Sequence, residues 1–552
     1  MIPGSELSHH DSLAPLLVVT MPTLAALVVY RSSRPFVRFC ISFGTTIATG
    51  TLLGWMALGL VRGRVHRFSG SEIVPNVTIE LAADPLGLLF AITAVGVYLG
   101  GVVFTSRQLR RRHLTGGARI YACFMASQAG AIGAALAGNL LVLFFFLEVL
   151  TLTTYPLIAH SEDRASRRAG YTYLAYGFGG GMSVLIGTRV IFAEVNSITF
   201  VPGGLPALSA NVANDPWLLR MAFFLLVVGL GTKAAIVPLH SWFVRARVTG
   251  TPIFGSVFAI VVLNAGMLGV FRIVLDLFGL SSTIDLGLAV LLLMTGVVTA
   301  AVAGTMAIAV ERLRDRFAYL AIASGGVPLV GLTALEPVAQ TVVIAFVPMY
   351  SAGLLVGFLS LAAIELNQIQ SSLWNRHSHF SSKTLGLSSL WLIVLVGLVS
   401  SAILFLVYTS AMSSLWLLLA TAALLVTTLS HAMGLWPALL GLYRSTKGRE
   451  QALDITRYPT TTGWTTIDVV VEEFYRGMAA VGVRGELIAV KSMYAIRYPN
   501  NAIERSLPTT VVPWYRNRRW RTMGMTGVKL STEGSIYVIV TVLTFVLIVG
   551  LR

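Results

Sequence analysis

Lys233 lies in the run Gly229-Leu230-Gly231-Thr232-Lys233-Ala234-Ala235-Ile236-Val237-Pro238-Leu239-His240-Ser241-Trp242. An ionisable group inside an apolar helix is costly and reads as functional by default. Lysine is also scarce in this chain: five of the 40 basic residues are Lys, and Lys233 is the only one before Lys383. Arginine keeps its proton, whereas burial can lower the pKa of a lysine until the proton is exchangeable. A second ionisable group, Glu148, stands among Phe144-Phe145-Phe146-Leu147-Glu148-Val149-Leu150. An unpaired carboxylate there would take up a proton rather than stay charged. A Glu148–Lys233 pair would make a switch, because each group's pKa follows the other's charge. The bland reading, a pair that only fixes helix packing, is the weaker one because buried ion pairs stabilise poorly. The chemistry these types and positions point to is proton transfer.

Two further residues belong to the same stretch. Pro238 deletes a helical hydrogen bond, and freed backbone groups are tolerated at membrane depth only against protein or water. Broken helices recur where transporters build ion sites, so the sequence predicts a wetted break there rather than a plain kink. His240, just downstream, can relay protons near neutral pH, although a histidine at a span end can also be merely interfacial. His431 is a further candidate for a polar path. His160, His377 and His379 read as surface residues. Gly177, Gly179, Gly180 and Gly181 read as a close helix-packing face and not as a phosphate loop.

The elements that would position these groups are transmembrane helices. Of the 552 residues, 55% are hydrophobic and only 12% charged, about half the charged share of a soluble domain. The apolar runs are of spanning length and too long for barrel strands. The pattern predicts about fourteen spans, at 13–30, 36–61, 82–105, 118–136, 138–160, 169–193, 217–244, 251–278, 284–310, 317–335, 337–365, 385–408, 412–443 and 534–551. The net charge of +16 falls between the spans and does not point to nucleic acid. Arginines gather in alternate loops, with Arg62, Arg64 and Arg67 in the second loop as the exception. By the positive-inside rule the arginine-rich loops are cytoplasmic and both termini lie outside. The N-terminus shows no signal-peptide pattern. Residues 444–533 form a basic, proline-punctuated segment, ending in Trp514-Tyr515-Arg516-Asn517-Arg518-Arg519-Trp520-Arg521. It reads as a cytoplasmic interface attracted to anionic lipid, with docking of another subunit as the alternative. Cys40 and Cys123 both fall in apolar runs and are expected to be buried, with no disulfide or metal role. No phosphate-binding motif, iron–sulfur cysteine cluster or haem histidine pair is present. The sequence therefore implies no cofactor, and any redox chemistry would belong to partners.

The runs Phe146-Leu147-Glu148-Val149-Leu150-Thr151-Leu152-Thr153-Thr154-Tyr155 and Lys233-Ala234-Ala235-Ile236-Val237-Pro238-Leu239-His240-Ser241-Trp242, followed by Thr251-Pro252 and Gly269-Val270-Phe271-Arg272-Ile273, resemble the antiporter-like membrane subunits of respiratory complex I, Mrp-type multisubunit Na+/H+ antiporters and membrane-bound hydrogenases. The likeness is strongest over 120–275. Arg316-Phe317-Ala318-Tyr319 is similar to the family's entry to its tenth helix. Phe474-Tyr475-Arg476 and Glu533-Gly534-Ser535-Ile536-Tyr537 are similar to tail segments of the hydrogenase and Mrp branches. The resemblance implies an all-α polytopic fold of fourteen helices with two inverted five-helix repeats and broken helices. Residues 1–117 would hold the first three helices, 118–278 the first repeat, 284–443 the second, and 534–552 a C-terminal helix. It implies Glu148 as the pairing carboxylate, Lys233 as the central lysine and His240 as the adjoining relay. It also implies a bacterial or archaeal cell membrane, partner membrane subunits, and protons with or without Na+ as the transported ion.

The second half departs from this pattern. Asn264 stands where the family has a lysine or histidine on its eighth helix, and Ser324 where it often has a histidine on its tenth. The eleventh run carries Tyr350 and Ser351 but no lysine, and the twelfth has neither lysine nor glutamate. Three functions remain open on these residues. The first is a proton-conducting subunit with one charged half-channel, its protons continuing through Asn264, Ser324, Tyr350, Ser351 and His431 or leaving sideways. The second is a membrane subunit of an inorganic-carbon uptake system, feeding protons to a zinc-dependent partner. The third is a scaffold that has lost conduction.

Overall fold

A computed structural model describes residues 8–112, 116–160, 163–212, 215–249, 252–310, 313–333 and 337–368, together with isolated helical positions between 396 and 435. The fourteenth predicted span, most of the twelfth and thirteenth, the basic segment and its aromatic–arginine end, both tail segments, His377 and His379 lie outside these described residues.

The helices follow the apolar runs: α1 (Ala14–Arg31), α2 (Pro35–Val61), α3 (Pro85–Arg112), α4 (Gly117–Ala135), α5 (Leu140–Ile158) and α6 (Arg164–Val195) come first. A short α7 (Pro206–Asn211) precedes α8 (Pro216–Lys233), α9 (Ser241–Thr249) and α10 (Pro252–Phe271). One π-helical turn (Arg272–Leu277) leads into α11 (Gly279–Asp285), then α12 (Leu288–Ala309), α13 (Leu313–Gly331) and α14 (Pro337–Gln368). Among the described residues, nine helices are long and apolar enough to cross a membrane. Their starts are written locally. Asn139, Asp163 and Asp215 each accept a backbone N–H of the first turn, from Val142, Ser166 and Leu218, satisfying donors that a helix leaves open.

α4 is buried at every position from Ile120 to Ala135, so it forms the centre of the first helix cluster, packed against α1, α3 and α5. α2 lies at the rim, with Phe36, Ile47, Trp55, Leu58 and Val61 exposed, as expected of a face against lipid. Cys40 is therefore exposed, correcting the expectation of two buried cysteines, whereas Cys123 on α4 is buried. His160 is likewise not a free surface residue: its Nδ1 lies 3.0 Å from an Arg119 guanidinium nitrogen. That arginine starts α4 where the chain leaves α5, and the contact ties the two helix ends together.

The second loop adds a small sheet to the helical pattern. Strands β2 (Arg64–Val74) and β3 (Val77–Ala82) pair antiparallel, and β1 (Ser8–Asp11) joins β2 in parallel. The turn uses Asn76 at φ 68°, a conformation asparagine tolerates better than most residues. The exceptional arginine charge of this loop is partly cancelled here, since Arg67 Nε meets Glu80 Oε1 at 2.7 Å. The hairpin docks on the turn between α4 and α5. Ala82 N–H donates to the Leu136 carbonyl at 2.7 Å, Gly138 N–H to the Glu80 carbonyl at 2.9 Å, and the Asn139 side-chain amide to the Thr78 carbonyl at 2.8 Å. It thereby fixes the start of α5, the helix that carries Glu148.

Candidate functional site

Glu148 and Thr151 lie three residues apart on α5 and so share a face. Lys233 is the last residue of α8. Its ammonium Nζ lies 3.2 Å from Glu148 Oε1, donates to Thr151 Oγ1 at 2.6 Å and reaches the Leu147 carbonyl at 3.4 Å. Thr151 and the Leu147 carbonyl thus take hydrogen bonds from the ammonium, and Glu148 meets it as an ion pair. The lysine is 3% exposed and the glutamate 16%, so one partner is sealed and the other retains an opening. Thr151 in turn donates to the Leu147 carbonyl at 2.9 Å, which leaves its oxygen free to accept from Lys233.

Close helix approach makes room for the pair. A Cβ on Gly181 of α6 would lie 2.5 Å from Glu148 Oε1, and one on Gly177 would lie 2.6 Å from Thr151 Cγ2. Gly180 and Gly229 bring the backbones of α6 and α8 together, each a Cβ's width from the other's carbonyl. α10 crosses the same point, where a Cβ on Gly266 would fall 2.2 Å from Ala234 N.

The helix breaks immediately after Lys233, earlier than a span over 217–244 with its break at Pro238 implies. Residues 234–240 are irregular, and α9 begins at Ser241. Pro238 lies inside this segment, after a cis Val237–Pro238 bond. Ala235 takes φ 52°, a left-handed conformation that costs an L-residue about 1–2 kcal/mol. Tertiary bonds hold the segment. Ile236 N–H donates to the Gly231 carbonyl at 2.9 Å, Trp242 Nε1 to the Thr232 carbonyl at 2.8 Å, and Val237 N–H to Thr299 Oγ1 of α12 at 3.2 Å. His240 lies across the break, 7% exposed, with its ring 6.2 Å from that of Tyr319 on α13. Among the described residues His240 is not one of the groups that hold the lysine ammonium.

The predicted polar path of the second half comes together around one cavity of about 40 Å³. Asn264, Ser324, Tyr350 and Ser351 line it, and so does Ala234, the residue after Lys233. Ser351 Oγ lies 3.0 Å from Asn264 Oδ1. His431 is fully buried behind it, its Nε2 2.6 Å from the Tyr350 hydroxyl.

Sequence reasoning missed three features. Thr151, Thr154 and Tyr173 form a hydroxyl series beside Glu148, with Thr154 Oγ1 2.6 Å from Tyr173 Oη; its signal was the threonine spacing of α5. Thr299, which accepts from the break, gave no signal because it comes from a distant helix, and Tyr319, beside His240, was marked only as part of a family-like run and not as a neighbour of the break. The third is a buried ionic cluster. Arg272 binds Asp276 at 2.7 Å and forms a bidentate contact with Asp84, whose Oδ1 is 2.8 Å away. The spacing of Arg272 and Asp276, four residues apart inside an apolar run, was visible.

The family described as NADH:quinone oxidoreductase/Mrp antiporter, transmembrane, matches residues 137–435. This chain belongs to that family. Among its relatives, NADH-quinone oxidoreductase subunit N of Desulforudis audaxviator is 32% identical over 235 residues, covering 41% of this chain and 45% of that protein. A probable K(+)/H(+) antiporter component of Rhizobium meliloti is 27% identical over 249 residues, 45% of each. The chain thus spans about half the length of the curated relatives it matches. Its fold is shared with a chain of the Mrp complex from Dietzia sp. at a TM-score of 0.64 and 18% identity, covering 86% of this chain and 95% of that one. A chain of respiratory complex I from Thermus thermophilus gives 0.58 at 17% identity, covering 86% and 98%. The protein is an integral membrane protein with the architecture of an antiporter-like subunit.

Proposed function

We propose that this chain is a proton-conducting subunit of a multisubunit membrane complex, with Glu148, Lys233 and His240 forming a half-channel. The observation that carries the reading is the Lys233 ammonium, held 3.2 Å from Glu148 at the very end of a broken helix. At that distance the gross attraction is roughly 5 kcal/mol at an effective dielectric of about 20, most of it offset by desolvation. The pair therefore contributes little net stability, yet the state of either proton changes the other group's environment strongly. Neutralising Glu148 removes the ion-pair partner and favours proton loss from Lys233. Discharge of Lys233 removes the ion-pair attraction to Glu148 and loosens its hold on α5. The broken segment supplies freed backbone groups beside the lysine, and the imidazole of His240 across the break is a group that can take up and pass on a proton.

Partner subunits follow from the company of the fold: the solved relatives are chains of an Mrp complex, of an archaeal respiratory membrane complex and of complex I. The asymmetry of charge supports a single central cation, because α10 and α14 carry no lysine. The test is proton flux in vesicles containing the purified complex, followed with a pH-sensitive dye. Lys233→Ala and Glu148→Gln are expected to lower flux by about a hundredfold or more, the scale of a lost proton-transfer group. Wild-type flux in Lys233→Ala would overturn the half-channel through Lys233.

A further inference from the structure

Three contacts run in series through the second half. The His431 Nδ1 lies 2.7 Å from the Thr427 carbonyl, the His431 Nε2 lies 2.6 Å from Tyr350 Oη, and Tyr350 Oη lies 3.1 Å from the Leu320 carbonyl. Each contact requires one proton between its two atoms, and both carbonyls can only accept. A neutral imidazole and a phenol together supply two protons for these three contacts. An imidazolium supplies the third. Nδ1–H then donates to Thr427, Nε2–H donates to Tyr350, and the tyrosine hydroxyl donates to Leu320, with every polar atom satisfied. In the neutral state the single tyrosine proton must choose between Nε2 and the Leu320 carbonyl. A histidine buried only for packing needs no such third acceptor.

Given the reading of the chain as a proton conductor, on which this rests, we infer that His431 is the proton-holding residue of the second half and Tyr350 the hydroxyl that loads it. His431 takes the place of the central lysine that this half lacks. Tyr350 lines the cavity that reaches Ala234, beside Lys233; its lining is mostly apolar, and Asn264, Ser324 and Ser351 supply polar side chains beside the tyrosine. Its volume of about 40 Å³ has room for two or so waters against those groups. A proton delivered there passes to Tyr350 Oη as the tyrosine's own proton moves to His431 Nε2, so the phenol stays neutral and the imidazole becomes imidazolium. Discharge reverses both transfers. The hydroxyl then reorients between Nε2 and the Leu320 carbonyl, which makes the pair a two-position element rather than a passive wire.

The test uses the purified complex in vesicles, with flux and assembly measured for His431→Gln, Tyr350→Phe and Lys233→Ala. His431→Gln keeps polarity and approximate size, and Tyr350→Phe keeps the ring. The expected result is intact assembly, with flux lowered about a hundredfold by His431→Gln and to a lesser but clear extent by Tyr350→Phe. Wild-type flux in an assembled His431→Gln complex overturns the inference. Should His431→Gln fail to assemble, Tyr350→Phe decides: reduced flux supports the relay and unchanged flux overturns it. Unchanged flux in Lys233→Ala would instead sink the first-half reading, and the His431 and Tyr350 variants would still decide this one.

Discussion

Gly181 on α6 lies so close to Glu148 that a Cβ at that position would come within 2.5 Å of the carboxylate oxygen paired with Lys233. The neighbouring Gly180 meets backbone instead: its Cβ would fall 2.9 Å from the Gly229 carbonyl and 3.0 Å from Thr232 Cβ. The two glycines therefore separate geometry of the site from packing of the helices. In Gly181→Ala the flexible end of Glu148 can swing aside. Assembly and thermal stability are expected to stay near wild type while proton flux falls. Gly180→Ala must push α6 and α8 apart and is expected to lower the melting temperature of the purified complex. Equal effects of both on stability would show that Gly181 serves packing alone.

Thr299 is the contact by which α12 holds the break after α8. Its hydroxyl accepts the Val237 N–H at 3.2 Å, and Thr299 is itself fully buried. Thr299→Val keeps the shape and removes the acceptor, leaving a buried donor unpaired at a cost of about 1–3 kcal/mol. Faster amide exchange is expected over 234–240, with little change in α5. Unaltered exchange there would mean that the segment is held without α12.

Arg272 is 2% exposed and serves two carboxylates, Asp84 at the start of α3 and Asp276 four residues on. Removing one partner of a buried ion pair costs about 3–5 kcal/mol because the other is left uncompensated. Arg272→Ala is expected to destabilise the complex strongly. Adding Asp84→Asn and Asp276→Asn is expected to recover part of the loss, since the stranded charges are then gone. A triple variant no more stable than Arg272→Ala would assign the loss to packing.

The hairpin of the second loop supplies a pH dependence. His66 on β2 is 5% exposed, and its pKa is held below the usual 6.5 first by burial and then by the nearby His10 and Arg64. The folded form thus disfavours the proton relative to the unfolded chain. Docking of β1 and the hairpin is fully stable above pH 6.5 and weakens as pH falls below it toward the folded pKa. Amide protection of 64–74, corrected for intrinsic exchange, is expected to drop between pH 7.5 and about 5.5 in wild type and to change less in His66→Gln. Identical profiles for the two proteins would exclude His66 as the cause.

How much of this was legible beforehand differs by level. The positions of the first eleven spans were, because bilayer thickness imposes long apolar runs on the sequence itself. The pairing of Glu148 with Lys233 was legible for a related reason: two charges in apolar runs must find each other or neutralise. The strands of the second loop were less so, although Arg64-Val65-His66-Arg67-Phe68 alternates and Pro75-Asn76 is a turn signal.

The sequence by itself determined that this chain crosses a membrane and that Lys233 is a rare charge set in an apolar run, where the cost of polar groups in hydrocarbon singles it out. Only the tertiary structure decided how far the site reaches. The helix ends at Lys233 and not at Pro238, because the break is set by the bond from Thr299 and by the crossing of α10 at Gly266, neither of which is local in sequence, together with the Trp242 bond to Thr232. Likewise, Tyr350 and His431 are 81 residues apart in the chain, and no periodicity in either helix records the 2.6 Å contact between them. Such contacts are created by helix packing, which depends on side-chain shapes across the whole fold rather than on any one run of residues.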